Sequence, residues 1–203
     1  WRSKREKDLW PILRVVRGCS NVLWQEELEA QRNKKSLTPE AIAIQNAHFA
    51  NMLSGIGRLC YRSWDGMQNI CPYFLEDKIP DEKQASGGSG KSVMVNLVVD
   101  AAVNVLPIDM KSFKDIDSAK NCLTDILKYP GKYRTVHWED RPKGFPLQYF
   151  YVKVTRGTNV ERKYGDPISL KMEESPLHVI TSNYPLSDDE GSTVGRFPLV
   201  SFS

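Results

Sequence analysis

Charged and apolar positions alternate at near-helical spacing through the first forty residues. The apolar positions are Leu9, Leu13, Val16, Cys19 and Leu23, and this period places them on one face of a helix. A second helix has a clear start, because Thr38 can cap it, Pro39 suits its first position and Glu40 is favoured at the positive end of the helix dipole. We expect it to end near residues 64–66, so that the first third of the chain is helical.

The rest of the chain alternates short apolar runs with amphipathic segments. Helices are expected over 91–102 and 116–127. The aromatic and β-branched residues 145–155 favour a strand, and residues 158–172 indicate a hairpin around residues 164–166. Further strands are expected over 70–76, 103–108, 133–138, 177–181 and 199–202. Strands that alternate with helices are typical of an α/β protein, in which helices cover both faces of a mainly parallel sheet.

The composition excludes several classes of protein. The 203 residues include 28 Lys and Arg against 25 Asp and Glu, a net charge of +3, with 40% hydrophobic residues. A histone-like polycation, an acidic tail protein and a disordered chain are therefore excluded, and any binding of nucleic acid must depend on local patches. No apolar run is long enough to span a bilayer, which argues against a membrane protein.

The cysteines and the chain ends bear on location and domain organisation. The four cysteines are scattered without a C-x-x-C pair, which argues against a zinc ribbon or a redox dithiol and favours buried thiols in a reducing cytoplasm. The chain begins at Trp1 without an apolar signal segment and stops inside an apolar run. We therefore expect a fragment of a longer protein, with a helical N-terminal region at 1–66 and an α/β core at 67–203 that is truncated at its C-terminus.

A glycine-rich stretch carries the strongest chemical signal. Residues 85–92 fit the Walker A pattern of phosphate loops, with Ala85 in place of the first glycine. Glycines let backbone N–H groups approach phosphates, and the following helix adds its positive end. Lys91 can reach the β- and γ-phosphates, and the Ser92 hydroxyl can ligate Mg²⁺. A flexible linker is the alternative, but linkers seldom run into an apolar helix. The predicted nucleotide-binding residues are Gly87, Gly88, Ser89, Gly90, Lys91 and Ser92.

Polar residues that follow apolar strands supply candidate partners for this loop. Glu139 and Asp140 end one strand, where Glu139 is expected to hold Mg²⁺ through water and Asp140 to polarise the attacking water. Asn183 ends another strand and can hold that water or sense the γ-phosphate. Arg196 precedes the last strand and can stabilise phosphate charge from a neighbouring subunit. Taken in isolation, the ordinary interpretations are favoured, namely a charged turn after a strand, an asparagine in a turn and a surface arginine.

Basic and aromatic residues interleave before and within the predicted hairpin. Basic side chains can follow the phosphates of a single strand while aromatic faces stack on its bases. From these residues alone, a solvated hairpin with incidental charges is favoured equally with a DNA contact. The residues concerned are Lys153, Arg156, Arg162, Lys163 and Lys171, with Tyr149, Tyr151 and Tyr164.

Taken together, these stretches resemble a superfamily III helicase, one of the AAA+-related P-loop ATPases of viral, phage and plasmid replication proteins. Within that family, the chain resembles the helicase part of primase–helicase proteins from phages and mobile elements. The resemblance covers about residues 50 to 203. The matching stretches come in the family's order, at residues 87–92, 136–140, 160–168 and 179–185, and finally at Arg196.

The resemblance implies a role for each motif. Lys91 and Ser92 are then Walker A, Glu139 and Asp140 Walker B, Asn183 sensor 1, and Arg196 an arginine finger that acts across a ring interface. The family's extra hairpin would grip single-stranded DNA through Arg162, Lys163 and Tyr164. The resemblance also implies ATP and Mg²⁺, a homo-hexamer, and possession of a primase domain in the full-length chain.

The expected function is therefore an ATP-driven DNA helicase motor in replication of a phage, plasmid or mobile element. A monomeric P-loop kinase or phosphotransferase is a second reading, although no arginine-rich lid segment is evident. A third is an ATPase that loads replication proteins without unwinding DNA. Two departures from the family pattern are Ala85 and the length of residues 77–84, which separate the preceding strand from the glycines.

Overall fold

Helices account for the N-terminal part of the chain. In a computed structural model, the described residues are 13–60, 70–76, 90–186 and 195–202. Residues 13–19 form helix α1, followed by α2 (Trp24–Arg32) and α3 (Pro39–Cys60). The Thr38 hydroxyl accepts the Ala41 N–H at 3.2 Å, which confirms the predicted N-cap of α3. The predicted end of this helix near 64–66 lies outside the described residues.

Five parallel strands form the central sheet, in the order β2-β3-β6-β1-β7. A separate antiparallel pair, β4 and β5, forms the predicted hairpin. The mainly parallel sheet expected from the sequence is thereby confirmed. The strands are β1 (Tyr73–Glu76), β2 (Val105–Asp109), β3 (Thr135–Glu139), β4 (Asn159–Arg162), β5 (Gly165–Ser169), β6 (Leu177–Ser182) and β7 (Leu199–Phe202).

Hydrophobic clusters cover both faces of the sheet. Neighbouring strand residues point to opposite faces, so that Tyr73 belongs to one cluster and Phe74 to the other. Helices α1 and α3 cover the Phe74 face. Gly55 allows α3 to approach closely, since a Cβ there would lie 3.0 Å from the Val200 side chain. The N-terminal helices thus form part of a three-layer α/β arrangement.

One long helix, α4, follows the phosphate-loop region on the Phe74 face. It runs as an α-helix at Lys91–Val93, a π-helix at Met94–Val99 and an α-helix again at Asp100–Val103. It ends at Asn104, whose φ is 56°. The Asp100 carboxylate accepts the Val105 N–H at 2.6 Å, and this bond leads the chain directly into β2.

Helices α5 (Thr124–Lys128) and α6 (Gln148–Thr155) cover the Tyr73 face. The strand predicted for 145–155 was wrong, because these aromatic residues form α6. Its inward positions, Phe150 and Val154, are four residues apart and pack in one cluster with Trp138 of β3. Burial on a helical face has therefore outweighed β propensity.

The helix predicted for 116–127 is also interrupted. A 3₁₀ turn at Asp117–Ala119 precedes α5, and Asn121 between them has a φ of 66°, which an α-helix cannot contain. In the described part of the chain, no helix is both long and apolar enough to cross a membrane.

Candidate functional site

The strand order creates a crevice at the carboxyl edge of the sheet. Strand β1 lies beside β6, but the chain leaves β1 toward β2 at one edge and leaves β6 toward β7 at the other. Such a reversal of direction is where open α/β sheets bind ligands. The edge carries Glu76 at the end of β1, Asn183 after β6, and Glu139 and Asp140 at the end of β3.

Gly90 is the described end of the phosphate loop and the N-cap of α4. Its φ of 84° is left-handed, and a Cβ there would meet the Cys19 sulfur at 3.0 Å. The backbone conformation therefore favours glycine at this position, and a side chain here would also press on Cys19. The other predicted loop residues, Gly87, Gly88 and Ser89, lie outside the described residues.

Lys91 is held inside the crevice. Its side chain is 5% exposed, and its ammonium lies 3.3 Å from a carboxylate oxygen of Glu76, which is 22% exposed. Ser92 is half-buried in the first turn of α4, where backbone N–H groups are not used within the helix. The end of β1 and the start of α4 are thus joined by an ion pair that sequence reasoning missed, because Glu76 belongs to no phosphate-loop motif.

The two predicted acids occupy different positions. Glu139 ends β3 and is half-buried. Asp140 follows with a φ of 53°, a left-handed backbone conformation that ends the strand. That carboxylate pairs with the exposed Lys111 ammonium at 2.9 Å and raises the pKa of the lysine. An ion pair this open to solvent is weak and can exchange.

Asn183 carries an unsatisfied acceptor in the crevice. Its side-chain oxygen is buried and, among the described residues, receives no hydrogen bond. Buried acceptors without a donor are rare in folded proteins and call for an explanation. A water molecule or a ligand that donates to this oxygen would satisfy it.

His137, which sequence reasoning left without a role, lies behind the acids. Its ring nitrogens lie 3.0 Å from the Asn96 side-chain oxygen on α4 and 3.0 Å from the Thr181 hydroxyl on β6. Burial lowers the His137 pKa to about 4, against a small opposing effect of the Asp140 charge. No sequence motif marks this contact, because its members come from three separate elements.

Arg196 lies near the amino-terminal end of β1, whereas these groups lie at the carboxyl ends of the strands. Its carbonyl accepts the Cys71 N–H at 2.7 Å, before β1 begins, whereas Glu76 at the far end of β1 pairs with Phe202. The seven residues from Arg196 to Phe202 would span roughly 20 Å if fully extended. The guanidinium lies 5.3 Å from the centre of the Tyr151 ring. The fold therefore does not bring Arg196 to the crevice of its own chain.

The predicted DNA-contact residues divide into an exposed and a buried group. Arg162 and Lys163 are exposed on the hairpin, and Tyr164 at its tip is 91% exposed. Lys153 is instead 9% exposed, with its ammonium 3.8 Å from the centre of the Tyr149 ring, and burial lowers its pKa. The prediction that Lys153 tracks DNA phosphates was therefore wrong, since the packing of α6 against the core removes it from the surface.

Metal-ligating side chains are sparse at the crevice in the part of the chain that the structure describes. In the ranges that the structure describes, no three His, Cys, Asp or Glu residues cluster as metal ligands. Mg²⁺ in phosphate loops typically keeps waters and needs few protein oxygens. Ser92 and Glu139 could supply those oxygens, and the bare acceptor of Asn183 is compatible with an ordered water.

These features define an α/β fold compatible with nucleotide binding. No family model and no curated protein matches the chain. Among solved structures, it is similar to the A-form apo structure of the NrS-1 C-terminal region, with a TM-score of 0.43 and 18% identity. That likeness covers 77% of this chain but 33% of the other, so the chain spans about a third of its neighbour's length.

Proposed function

We propose that the chain is the ATP-hydrolysing motor part of a DNA helicase that moves on single-stranded DNA. The observation that carries the proposal is the buried acceptor of Asn183, located between β1 with its Lys91–Glu76 pair and β3 with its two acids. A lysine, a water-holding amide and a carboxylate pair are the groups that phosphoryl transfer to water requires.

Each residue has a role in this proposal. Lys91 and the backbone N–H groups at the start of α4 bind the phosphates, and Ser92 with Glu139 hold Mg²⁺, which neutralises charge on the phosphate oxygens when bound. Asn183 orients the attacking water. The Asp140 carboxylate accepts a hydrogen bond from that water after its ion pair with Lys111 has opened.

The hairpin is connected to this site through the core. At its root, the Thr158 hydroxyl lies 3.1 Å from His178 on β6, the strand that leads to Asn183. The other nitrogen of His178 accepts the Trp138 indole N–H at 3.1 Å, immediately before Glu139. A change at either strand end can thus reach the hairpin, which supports coupling between hydrolysis and the proposed DNA contacts of Arg162 and Lys163.

The position of Arg196 supports a ring of identical subunits. Because it lies at the edge of the sheet away from its own crevice, its guanidinium can complete a phosphate site only on a neighbour. We therefore propose a homo-hexamer in which ATP is hydrolysed between subunits, and a primase domain in the same full-length chain as its partner in replication.

ATP hydrolysis by wild type and Lys91→Ala, with and without single-stranded DNA, tests the proposal. The variant should lose hydrolysis and keep its fold by circular dichroism, whereas Lys35→Ala, at an exposed site, should match the wild type. Hydrolysis at the wild-type rate by Lys91→Ala would overturn the phosphate site. DNA-stimulated hydrolysis without strand separation would favour a loading ATPase. A monomer by light scattering with transfer of phosphate to a small molecule would favour a kinase.

A further inference from the structure

A chain of hydrogen bonds crosses three elements behind the acidic turn. It begins at the Asn96 side chain on α4, continues through His137 on β3 and the Thr181 hydroxyl on β6, and ends at the Asp140 N–H. The distances are 3.0, 3.0 and 3.3 Å in that order. His137 and Thr181 are both 0% exposed, so water does not compete for the bond between them.

The chemistry of the groups fixes the direction of each bond. The Asn96 oxygen only accepts, so Nδ1 of His137 carries the hydrogen and donates it. Nε2 then has a lone pair and accepts the hydrogen of the Thr181 hydroxyl. This orientation leaves a lone pair on the hydroxyl oxygen for the Asp140 N–H. Every donor in this series of hydrogen bonds therefore has one acceptor.

The turn at Asp140 needs such support. A left-handed φ costs a residue with a side chain roughly 1 kcal/mol, and the Asp140 φ is 53°. Two neighbouring bonds fix the next residue: the Arg141 N–H donates to the Thr181 carbonyl at 2.9 Å, and the Ser182 hydroxyl donates to the Arg141 carbonyl at 3.0 Å. The Thr181 hydroxyl accepts the hydrogen bond of the Asp140 backbone N–H.

We propose that His137 and Thr181 are positioning residues, which hold the Asp140 turn and link it through Asn96 to the helix that follows the phosphate loop. Neither side chain touches the reacting atoms. His137 fixes the hydroxyl of Thr181 as an acceptor toward Asp140, and Asn96 fixes the ring of His137. The inference rests on the proposed function, in which Asp140 acts on the attacking water.

The sharpest test compares Thr181→Val, which removes the hydroxyl at nearly constant volume, with Thr181→Ser, which keeps it. In Thr181→Val the Asp140 amide should exchange its hydrogen about 10-fold faster or more, since its hydrogen bond is removed. The Arg141 amide should be unchanged, because its acceptor is a backbone carbonyl. Equal exchange at Asp140 in wild type and Thr181→Val would overturn the inference.

Kinetics on the same variants separate positioning from binding. Thr181→Val should lower kcat for ATP by roughly 10-fold and leave ATP affinity within about 2-fold, and Thr181→Ser should recover most of the loss. An equal loss in both variants, or a loss confined to ATP affinity, would contradict a positioning role for the hydroxyl.

Two further variants complete the test. Asn96 is exposed, so Asn96→Ala should fold normally, and the ¹⁵N shifts of His137 should show loss of the single Nδ1–H tautomer. An unchanged tautomer would overturn the link to α4. Asp140→Asn should bind ATP without turnover. If Asp140→Asn is inactive and Thr181→Val is fully active, the inference fails and the proposed function stands; if Asp140→Asn is active, the role of Asp140 fails and the inference with it.

Discussion

At the scale of single residues, the Lys91–Glu76 pair is the most informative contact. It places a carboxylate where a phosphate is proposed to bind, so Glu76 acts as the counter-ion of a lysine that is almost fully buried. A buried charge that loses its partner is destabilising, whereas one that exchanges partners is not. Nucleotide binding at this site would therefore replace one anion by another.

Glu76→Gln tests this exchange. Without the Glu76 carboxylate, the nucleotide-free protein should lose about 1–3 kcal/mol of stability, because a charged hydrogen bond to a buried ammonium is removed. Mg²⁺ and ATP should then raise the melting temperature by more than in the wild type, since the Glu76 carboxylate no longer competes for Lys91. Glu173→Gln, at an exposed position, should change neither quantity. Equal ATP-dependent shifts in Glu76→Gln and the wild type would contradict the exchange.

His178 makes stability depend on pH. Full burial, with a smaller effect of the Lys153 charge, lowers its pKa to about 3 from an unfolded value of 6.5. Below pH 6.5 the unfolded chain therefore binds a proton at His178 that the folded chain does not bind. The contribution of His178 to stability is fully present above that pH and is lost as the pH decreases toward 3. The loss from this group should be about 2 kcal/mol between pH 7.5 and 5.

Urea unfolding of wild type and His178→Gln at pH 7.5, 6.5 and 5 measures this dependence. The variant starts from a lower stability, because the bonds to Trp138 and Thr158 change, but its stability should fall less steeply with acid. Parallel curves for the two proteins between pH 7.5 and 5 would show that His178 is not the group responsible.

At the scale of elements, the hairpin β4–β5 combines an exposed tip with an anchored root. Val160 of β4 is 0% exposed within the core cluster, whereas Tyr164 projects from the tip. Such a hairpin can contact a ligand at its tip and transmit movement of its root. Its sequence position and turn residues predict it well, because the signal for a hairpin is local.

Removing the two charges beside the tip tests its contact with DNA. Arg162→Ala combined with Lys163→Ala should weaken binding of single strands and reduce the log–log salt slope by about 0.7 for each phosphate that the protein no longer neutralises. Basal ATP hydrolysis should persist, while its stimulation by DNA falls. Arg32→Ala combined with Lys35→Ala removes the same charge from an exposed region at and after the end of α2 and should leave the slope unchanged. An unchanged slope in the hairpin variant would mean that DNA binds elsewhere.

Helix α6 shows the limit of local prediction at this scale. Its sequence has the β-branched and aromatic character of a strand, yet its residues 150 and 154 pack on Trp138 from one helical face. Strand propensity reflects the fit of a side chain to a half-buried sheet, whereas these residues are buried against the sheet from a covering helix. Packing against the neighbouring elements therefore stabilised a helix in this segment rather than a strand.

At the scale of the whole molecule, the strand order decides which groups can act together. It brings the ends of β1, β6 and β3 side by side and leaves Arg196 at the far edge. In the proposed function, Arg196 would therefore complete the phosphate site of a second copy of the chain. The relevant unit of function in this proposal is the interface between subunits.

Mixed assemblies test the contribution of Arg196 from a neighbour. Arg196→Ala and Lys91→Ala subunits should each be inactive alone, but a mixture should regain part of the ATP hydrolysis, because some interfaces join an intact loop to an intact arginine. The readout is the rate of hydrolysis against mixing ratio, with mixing verified by differently tagged subunits. No recovery in assemblies shown to be mixed would indicate a role within one subunit or none.

The sequence by itself determined the elements whose signals are local. Thr38 and Pro39 set the start of α3, alternation of apolar runs with helices predicted the parallel sheet, and the apolar run after Lys91 predicted helix α4. These features follow from dihedral preference, capping and side-chain period, which act over a few residues.

Tertiary structure alone decided the contacts that join distant parts of the chain. Glu76 meets Lys91, His137 meets Asn96 and Thr181, and Lys153 lies buried beneath Tyr149, although nothing in their immediate sequence marks them. Each contact depends on which strands are neighbours and on which helix covers them. Those choices come from the packing of whole faces, whose free energy is shared among many residues and is therefore invisible in any one motif.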